Sequence, residues 1–345
     1  MRNFWLKIKK PIFCLAPMAD VTDCAFRSII AKYGQPDVFW TEFVSADGLC
    51  SAGRNKLLIN LKYGENERPI VAQIFGSNPE NIEKASALCK KLKFDGLDIN
   101  MGCPDKSVEK QRAGAALMKN PKLAREIIRA AKKGGGGLPI SVKTRLGYSK
   151  NEMETWILAL LEENIAVLTV HLRTRQEMSD VPAHWNLMKR IVAIRDKMKV
   201  KTLIIGNGDV LSLEEARKKV EETGCDGVML GRAIFGNPWL FCNLRSEHIL
   251  KSTDIFLLKN SSCSRQSRSQ VFLKYVPSLQ EKLKVMVEHT KLFEKMLGRH
   301  KNFATMKKHY KAYANGFKGA KELRSKLMET ENATQVEEIV RKFIE

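Results

Sequence analysis

The feature that most constrains this chain is a regular alternation: eight short, β-like apolar runs, most of them separated by stretches with a helical period. The runs fall at 13–17, 38–43, 70–75, 96–100, 139–145, 166–171, 202–206 and 226–231. Helix-period segments between them include 80–93, 121–133, 152–163, 183–197 and 213–223. Strands that alternate with helices pair in parallel through right-handed crossovers. Several runs are apolar on successive residues, as in strands covered on both faces. Eight such units in about 235 residues predict an α/β fold, a (β/α)8 TIM barrel. A doubly wound sheet would show fewer strands and an early glycine fingerprint.

The pattern changes after Trp239-Leu240-Phe241. Residues 259–270 are polar, Ser-rich and basic, and from about Leu279 to Glu345 the chain is helical in period, broken at Gly298, Gly316 and Gly319. The expected division is a barrel at 1–244, a linker or loop at 245–276 and a small, basic, all-α domain at 277–345. Charge supports the last assignment: residues 240–345 carry 21 basic and 11 acidic side chains, nearly half of the net +21 of the whole chain. A field of that sign favours polyanions such as nucleic acid. No run approaches the roughly 20 apolar residues of a membrane span, and no apolar run of signal-peptide length follows Met1–Pro11. Eight cysteines without a CxxC pair or a histidine at zinc-ligand spacing predict free thiols in a reducing compartment and no metal site. The cytoplasm is the expected location, and the monomer the expected state.

In a barrel of this type the C-terminal strand ends face the active site. The polar residues there are Asp20 after strand one, Glu42, Gln73, the run Asn100-Met101-Gly102-Cys103-Pro104, Lys143-Thr144-Arg145, His171 with Arg173-Thr174-Arg175, Gly206-Asn207-Gly208-Asp209 and Gly231-Arg232. The last two are glycine-flanked turns after strands seven and eight, where barrels commonly hold a phosphate. Lys143 would be a cation suited to the electron-rich pyrimidine edge of a reduced flavin. Gln73 can donate to and accept from a flavin ring edge.

Taken together, Ala16-Pro17-Met18, Val21-Thr22-Asp23, Phe26-Arg27, Asn100 to Pro104, Gly114-Ala115-Ala116-Leu117, Lys143-Thr144-Arg145, His171 with Arg173-Thr174-Arg175, Gly206 to Asp209 and Gly231-Arg232 resemble the tRNA-dihydrouridine synthases over nearly the whole chain. Met306-Lys307-Lys308-His309, Tyr313 and Gly319-Ala320 through Leu323-Arg324 are similar to that family's helical tRNA-binding domain. The resemblance implies an FMN enzyme that reduces the C5–C6 double bond of particular uridines in tRNA with electrons from NADPH. It implies that Pro17, Met18, Ala19, Gln73, Lys143, His171, Asn207, Gly208, Asp209, Gly231 and Arg232 bind FMN. Asn100, Arg145 and Arg173 would face the uracil, and Lys307 and Lys308 the RNA.

Reducing C5–C6 needs a hydride at C6 and a proton at C5 from the opposite face. Cys103 is the candidate donor, because a thiol of ordinary pKa, about 8.5, is still protonated at neutral pH. Nearby Lys143 and Arg145 would favour thiolate, so the thiol is expected in the less polar part of its loop. Two other functions fit parts of the pattern: an FMN barrel reducing a free pyrimidine or an enone, and a non-catalytic tRNA-binding barrel. The first leaves the basic helical domain unexplained; the second leaves Cys103, Lys143 and both phosphate turns without a role.

Overall fold

The computed structural model describes residues 3–242 and 275–345. Eight strands form one all-parallel sheet: β1 (Ile12–Leu15), β2 (Phe39–Ser45), β3 (Ile70–Phe75), β4 (Gly96–Met101), β5 (Ile140–Arg145), β6 (Val167–His171), β7 (Leu203–Asn207) and β8 (Gly227–Leu230). β2 to β8 pair in sequence order, β1 pairs with β8, and a bridge between Cys14 and Val38 joins β1 to the start of β2. The sheet thus curls into the expected barrel. All eight C-terminal strand ends open on one side, which gathers the polar strand-end residues in one mouth.

The helices are α1 (Cys24–Tyr33), α2 (Ala46–Leu49), α3 (Arg54–Leu57), α4 (Pro79–Lys91), α5 (Lys106–Lys110), α6 (Pro121–Gly135), α7 (Met153–Leu161), α8 (Met188–Met198) and α9 (Leu213–Thr223). Their limits follow local chemistry. The Ser212 side chain caps α9 by accepting from the Glu215 N–H, and Gly224 ends it in the left-handed conformation at φ 74°. Asn120 caps α6 in the same way, with Pro121 in the first turn. Arg27 on α1 is fully buried; it pairs with Glu67 at 2.5 Å and donates to the carbonyls of Thr22 and Lys62. Its part in the sequence motif is therefore structural.

Four helices follow residue 278: α10 (Leu279–Leu297), α11 (Lys307–Tyr313), α12 (Ala320–Met328) and α13 (Ala333–Ile344). Gly298 ends α10, and Gly316 and Gly319, at φ 82° and 85°, lie in the break between α11 and α12, so all three breaks expected from the sequence are present. The expected linker at 245–276 lies outside the described residues, except for its last two. The four helices share an apolar core with Cys24, Ala25 and Ile29 of α1 and with Trp239, so they pack directly on the barrel.

At that junction His289 and His309 stand edge to face, ring centroids 4.7 Å apart, beside Phe26 and Phe235. None of their four ring nitrogens has a hydrogen-bond partner among the described residues. Burial holds His289 neutral down to a pKa of about 3, and His309 is likewise held well below the usual histidine value by burial and by His289. In the unfolded chain both bind protons below about 6.5, so stability falls as pH drops through the window below that value. Going from pH 7 to pH 5 is expected to remove about 2 kcal/mol per histidine. Urea titrations at the two pH values check this. A His289→Phe/His309→Phe variant with the same pH dependence as the parent would contradict it.

Candidate active site

One side of the barrel mouth holds a cavity of about 490 Å³, within the usual range for small-molecule sites. It is lined by Ala16, Pro17 and Met18 after β1, Lys143 of β5, His171 and Arg173, the turn Asn207-Gly208-Asp209, Met229 of β8 and the turn Gly231-Arg232. Lys143 donates to Asn207 Oδ1 at 3.2 Å, and the Asn207 amide is oriented by its own bond to the Met229 carbonyl. Burial, and then the charge of Arg145, pull the Lys143 ammonium down to about 8, so it remains a cation at neutral pH. Burial and the surrounding Lys143, Arg145, Arg173 and Arg232 push His171 down to about 2. Its imidazole is neutral, and Arg173 Nη1 sits 3.1 Å from Nε2. A guanidinium can only donate, so Nε2 accepts and Nδ1 carries the hydrogen.

Asp209, held at φ 55°, joins Arg173 to Arg232: its carboxylate receives Arg173 Nη2, Arg232 Nη2 at 2.8 Å and the Ala183 N–H. These arginines outnumber the carboxylate between them, and the local field suits an anion. The cavity fits FMN on three counts. A Cβ at Gly231 would meet only side chains at van der Waals distance, Ala16 Cβ at 3.7 Å and Met18 Sδ at 3.9 Å, so the glycine leaves the volume of that carbon to a ligand. Pro17, Met18 and Met229 offer apolar walls, and Lys143, Arg173 and Arg232 add cations to the lining. A neighbouring cavity of about 610 Å³ includes Glu177, Asp180 and Lys150 in its lining, and its two carboxylates make it a poor host for a phosphate.

Cys103 lies on the loop after β4, and three partners fix that loop. Asn100 Oδ1 accepts from the N–H groups of Gly102 and Cys103, Arg145 Nε donates to the Gly102 carbonyl at 2.9 Å, and the Ala115 N–H reaches the Cys103 carbonyl at 2.9 Å. Arg175 pairs with Glu109 of α5 just beyond, at 2.5 Å. The thiol-bearing Cys103 is half-buried and packs against the apolar cluster of Phe75, Val108 and Ala113, which Phe43 also joins. Burial raises its pKa, outweighing the lowering effect of Lys143 and Arg145. That is the apolar placement a proton donor needs.

Of the residues expected to hold FMN, Pro17, Met18, Lys143, His171, Asn207, Gly208, Asp209, Gly231 and Arg232 line the one cavity. Ala19 is exposed on the following turn, and Gln73 is fully buried, its amide shared between Asp98 and Asn100. Among those expected at the uracil, Arg173 lines the cavity itself. Arg145 spends Nε on Gly102 and Nη1 on the carbonyls of Thr174 and Met178, since a buried guanidinium must find acceptors. Asn100 likewise spends its amide within the protein. Lys307 is half-buried and Lys308 exposed, both on α11, away from the cavity lining. Sequence reasoning missed Asp98, whose signal was a carboxylate inside a strand buried on both faces. Lys301, one of the basic residues of the helical region read from the sequence as gripping RNA, instead reaches to Glu42, at 2.9 and 3.0 Å, and Asp20. Among the described residues no group of three or more His, Cys, Asp or Glu could hold a metal ion, and no helix is long and apolar enough to cross a membrane.

The model of the family "Dihydrouridine synthase (Dus)" matches residues 14–345. The chain is 38% identical to "Probable tRNA-dihydrouridine synthase 2" of Bacillus subtilis (strain 168), over 99% of this chain and 96% of that protein. It is 38% identical to "Probable tRNA-dihydrouridine synthase" of Staphylococcus aureus (strain MRSA252), over 99% and 95%. Among solved structures, histamine dehydrogenase from Rhizobium sp. 4-9 superposes with a TM-score of 0.50 at 14% identity, covering 68% of this chain and 45% of that one, a likeness of fold. A barrel whose mouth carries these residues, matched over almost its full length by the family model and by such relatives, belongs to the dihydrouridine synthase family.

Proposed function

We propose that this protein reduces the C5–C6 double bond of uridines in tRNA, with FMN in the cavity beside Lys143, NADPH as the electron source and Cys103 as the proton donor. The observation that carries the reading is the pairing of a protonated, apolar-set thiol with a cation-rimmed cavity at the same mouth. FMN, when bound, supplies hydride chemistry. Pro17, Met18 and Met229 would form walls for its ring system, Lys143 would supply a cation for its electron-rich edge, and Arg232 with the Gly208 and Gly231 turns would hold the phosphate. Cys103 keeps its proton while the base approaches, because burial opposes the thiolate, and releases it as charge builds on the ring. Arg145 and Asn100 act by fixing the thiol's loop.

A uridine in folded tRNA must be unstacked, at a cost on the order of a few kcal/mol, which phosphate contacts can supply. Residues 277–345, with Lys307 and Lys308 on α11, are read as the part that grips RNA, and 1–244 as the catalytic barrel. The protein is read as a cytoplasmic monomer. The relatives' names point to the same substrate.

The test is direct: an unmodified tRNA transcript incubated with the purified protein, FMN and NADPH is expected to gain two hydrogens at defined uridines, read by mass spectrometry of nuclease fragments. Turnover of free uridine with none on the transcript would favour a reductase of free pyrimidines instead.

A further inference from the structure

Asp98 lies in the middle of β4, fully buried, where a strand covered on both faces would ordinarily carry an apolar side chain. Its carboxylate accepts from Ser141 Oγ on one oxygen and from Gln73 Nε2, at 2.6 Å, on the other. Gln73 Oε1 in turn accepts from Asn100 Nδ2 at 3.1 Å, and Asn100 Oδ1 accepts from the N–H groups of Gly102 and Cys103 at 3.1 and 2.9 Å. These bonds form one buried line from the barrel interior to the thiol's own backbone.

The line has a direction. A carboxylate only accepts and a backbone N–H only donates, so the two amides between them have a single consistent order. Gln73 must turn its NH2 to Asp98 and its oxygen to Asn100, and Asn100 must then turn its oxygen to the loop. Burial pushes the Asp98 carboxyl up to about 6, against the bonds from Ser141 and Gln73 and the charge of Lys143, which leaves it ionised at neutral pH. Reversing Asn100 would set its Nδ2 against two N–H donors and strand them without an acceptor, and reversing Gln73 would set its oxygen against the Asp98 carboxylate, each a costly outcome in a buried site.

We propose that Asp98 is a positioning residue that sets the direction of the Asp98–Gln73–Asn100 line and thereby holds the loop that presents Cys103. Its effect on turnover rests on Cys103 being the proton donor; its effect on the loop does not. An amide at position 98 can both donate and accept, so Asp98→Asn permits either direction. Asn100→Asp places carboxylates at both ends of Gln73, which has one donor end. The double variant has a consistent order again, reversed at both links of Gln73 and unchanged at the loop. The new amide at position 98 donates to Gln73 Oε1, Gln73 donates to the new carboxylate at position 100, and that carboxylate accepts from the loop.

The experiment is a double-mutant cycle on the FMN-loaded protein, read by hydrogen exchange of the Gly102 and Cys103 amides and by turnover of an unmodified tRNA transcript. Each single variant is expected to speed exchange about tenfold and to lower kcat about tenfold with KM for tRNA little changed; the double variant is expected to recover most of both. If Asn100→Asp is insoluble, Asp98→Asn against the double variant decides. Unchanged exchange in Asp98→Asn, or a double variant no better than Asp98→Asn alone, overturns the proposal. Cys103→Ala, assayed alongside, separates the two claims. If it is as active as the parent, the proton-donor reading falls and exchange alone judges Asp98. Should it be inactive while Asp98→Asn exchanges like the parent, only the positioning role falls.

Discussion

Cys103→Ala is expected to lower turnover of tRNA about 10²–10⁴-fold while the protein keeps its FMN. The size is that of a lost general acid. The retention of FMN follows from geometry: Cys103 packs against the cluster of Phe75, Val108 and Ala113, and none of these three lines the cavity formed by Lys143, Asn207 and Gly231. Cys103→Ser should be nearly as slow, since a hydroxyl of similar size is a far weaker acid. Stopped-flow assays separate the steps. Flavin reduction by NADPH should proceed at the parent rate in both variants, and reoxidation by tRNA should not. A Cys103→Ala protein whose flavin is reoxidised by tRNA at the parent rate would remove the thiol from the mechanism.

Lys143→Met is expected to cost about 10²–10³-fold in turnover, the range seen when a preorganised donor to developing charge is removed. Here, unlike with Cys103, the flavin itself should report the loss: without a cation near its electron-rich edge, the reduction potential of the bound FMN should move to more negative values. The pH dependence has a definite sign. Because burial and Arg145 hold Lys143 near 8, a lowered value for a lysine, its charge is present below that pH and lost above it. FMN affinity should therefore weaken as pH rises through about 8, and Lys143→Arg should carry the plateau higher. Equilibrium dialysis across that range checks both; an affinity flat through pH 9 in the parent would mean that the cation does not act on the cofactor.

How far the sequence reached is best seen at particular residues. The strands expected at 70–75 and 96–100 appear at Ile70–Phe75 and Gly96–Met101, because an apolar run bounded by turn residues leaves little choice in a parallel sheet. A helix expected from 183 begins only at Met188. There the helical period is met by a short turn at Trp185–Leu187, whose indole N–H is committed to the Gly208 carbonyl, a tertiary contact that local sequence does not contain. In the site, strand-end position alone indicated Lys143, His171, Asn207 and Arg232. It did not reveal the protein partners of Gln73, Asn100 and Arg145, each of which comes from a neighbouring strand or loop. Such partners depend on register and depth, and a buried amide or guanidinium takes the nearest acceptor before any ligand arrives. The same reason hid the reach of Lys301 to Glu42, between residues far apart in the chain.

On the proposed mechanism, this barrel makes dihydrouridine in tRNA with the proton of Cys103. The measurement that tests it most directly is a dihydrouridine map of total tRNA from cells lacking the protein, complemented with either the parent or the Cys103→Ala form. The expected result is loss of dihydrouridine at a defined set of positions, restored by the parent and not by Cys103→Ala. Unaltered dihydrouridine in the cells lacking the protein would contradict the substrate, and full restoration by Cys103→Ala would contradict the acid.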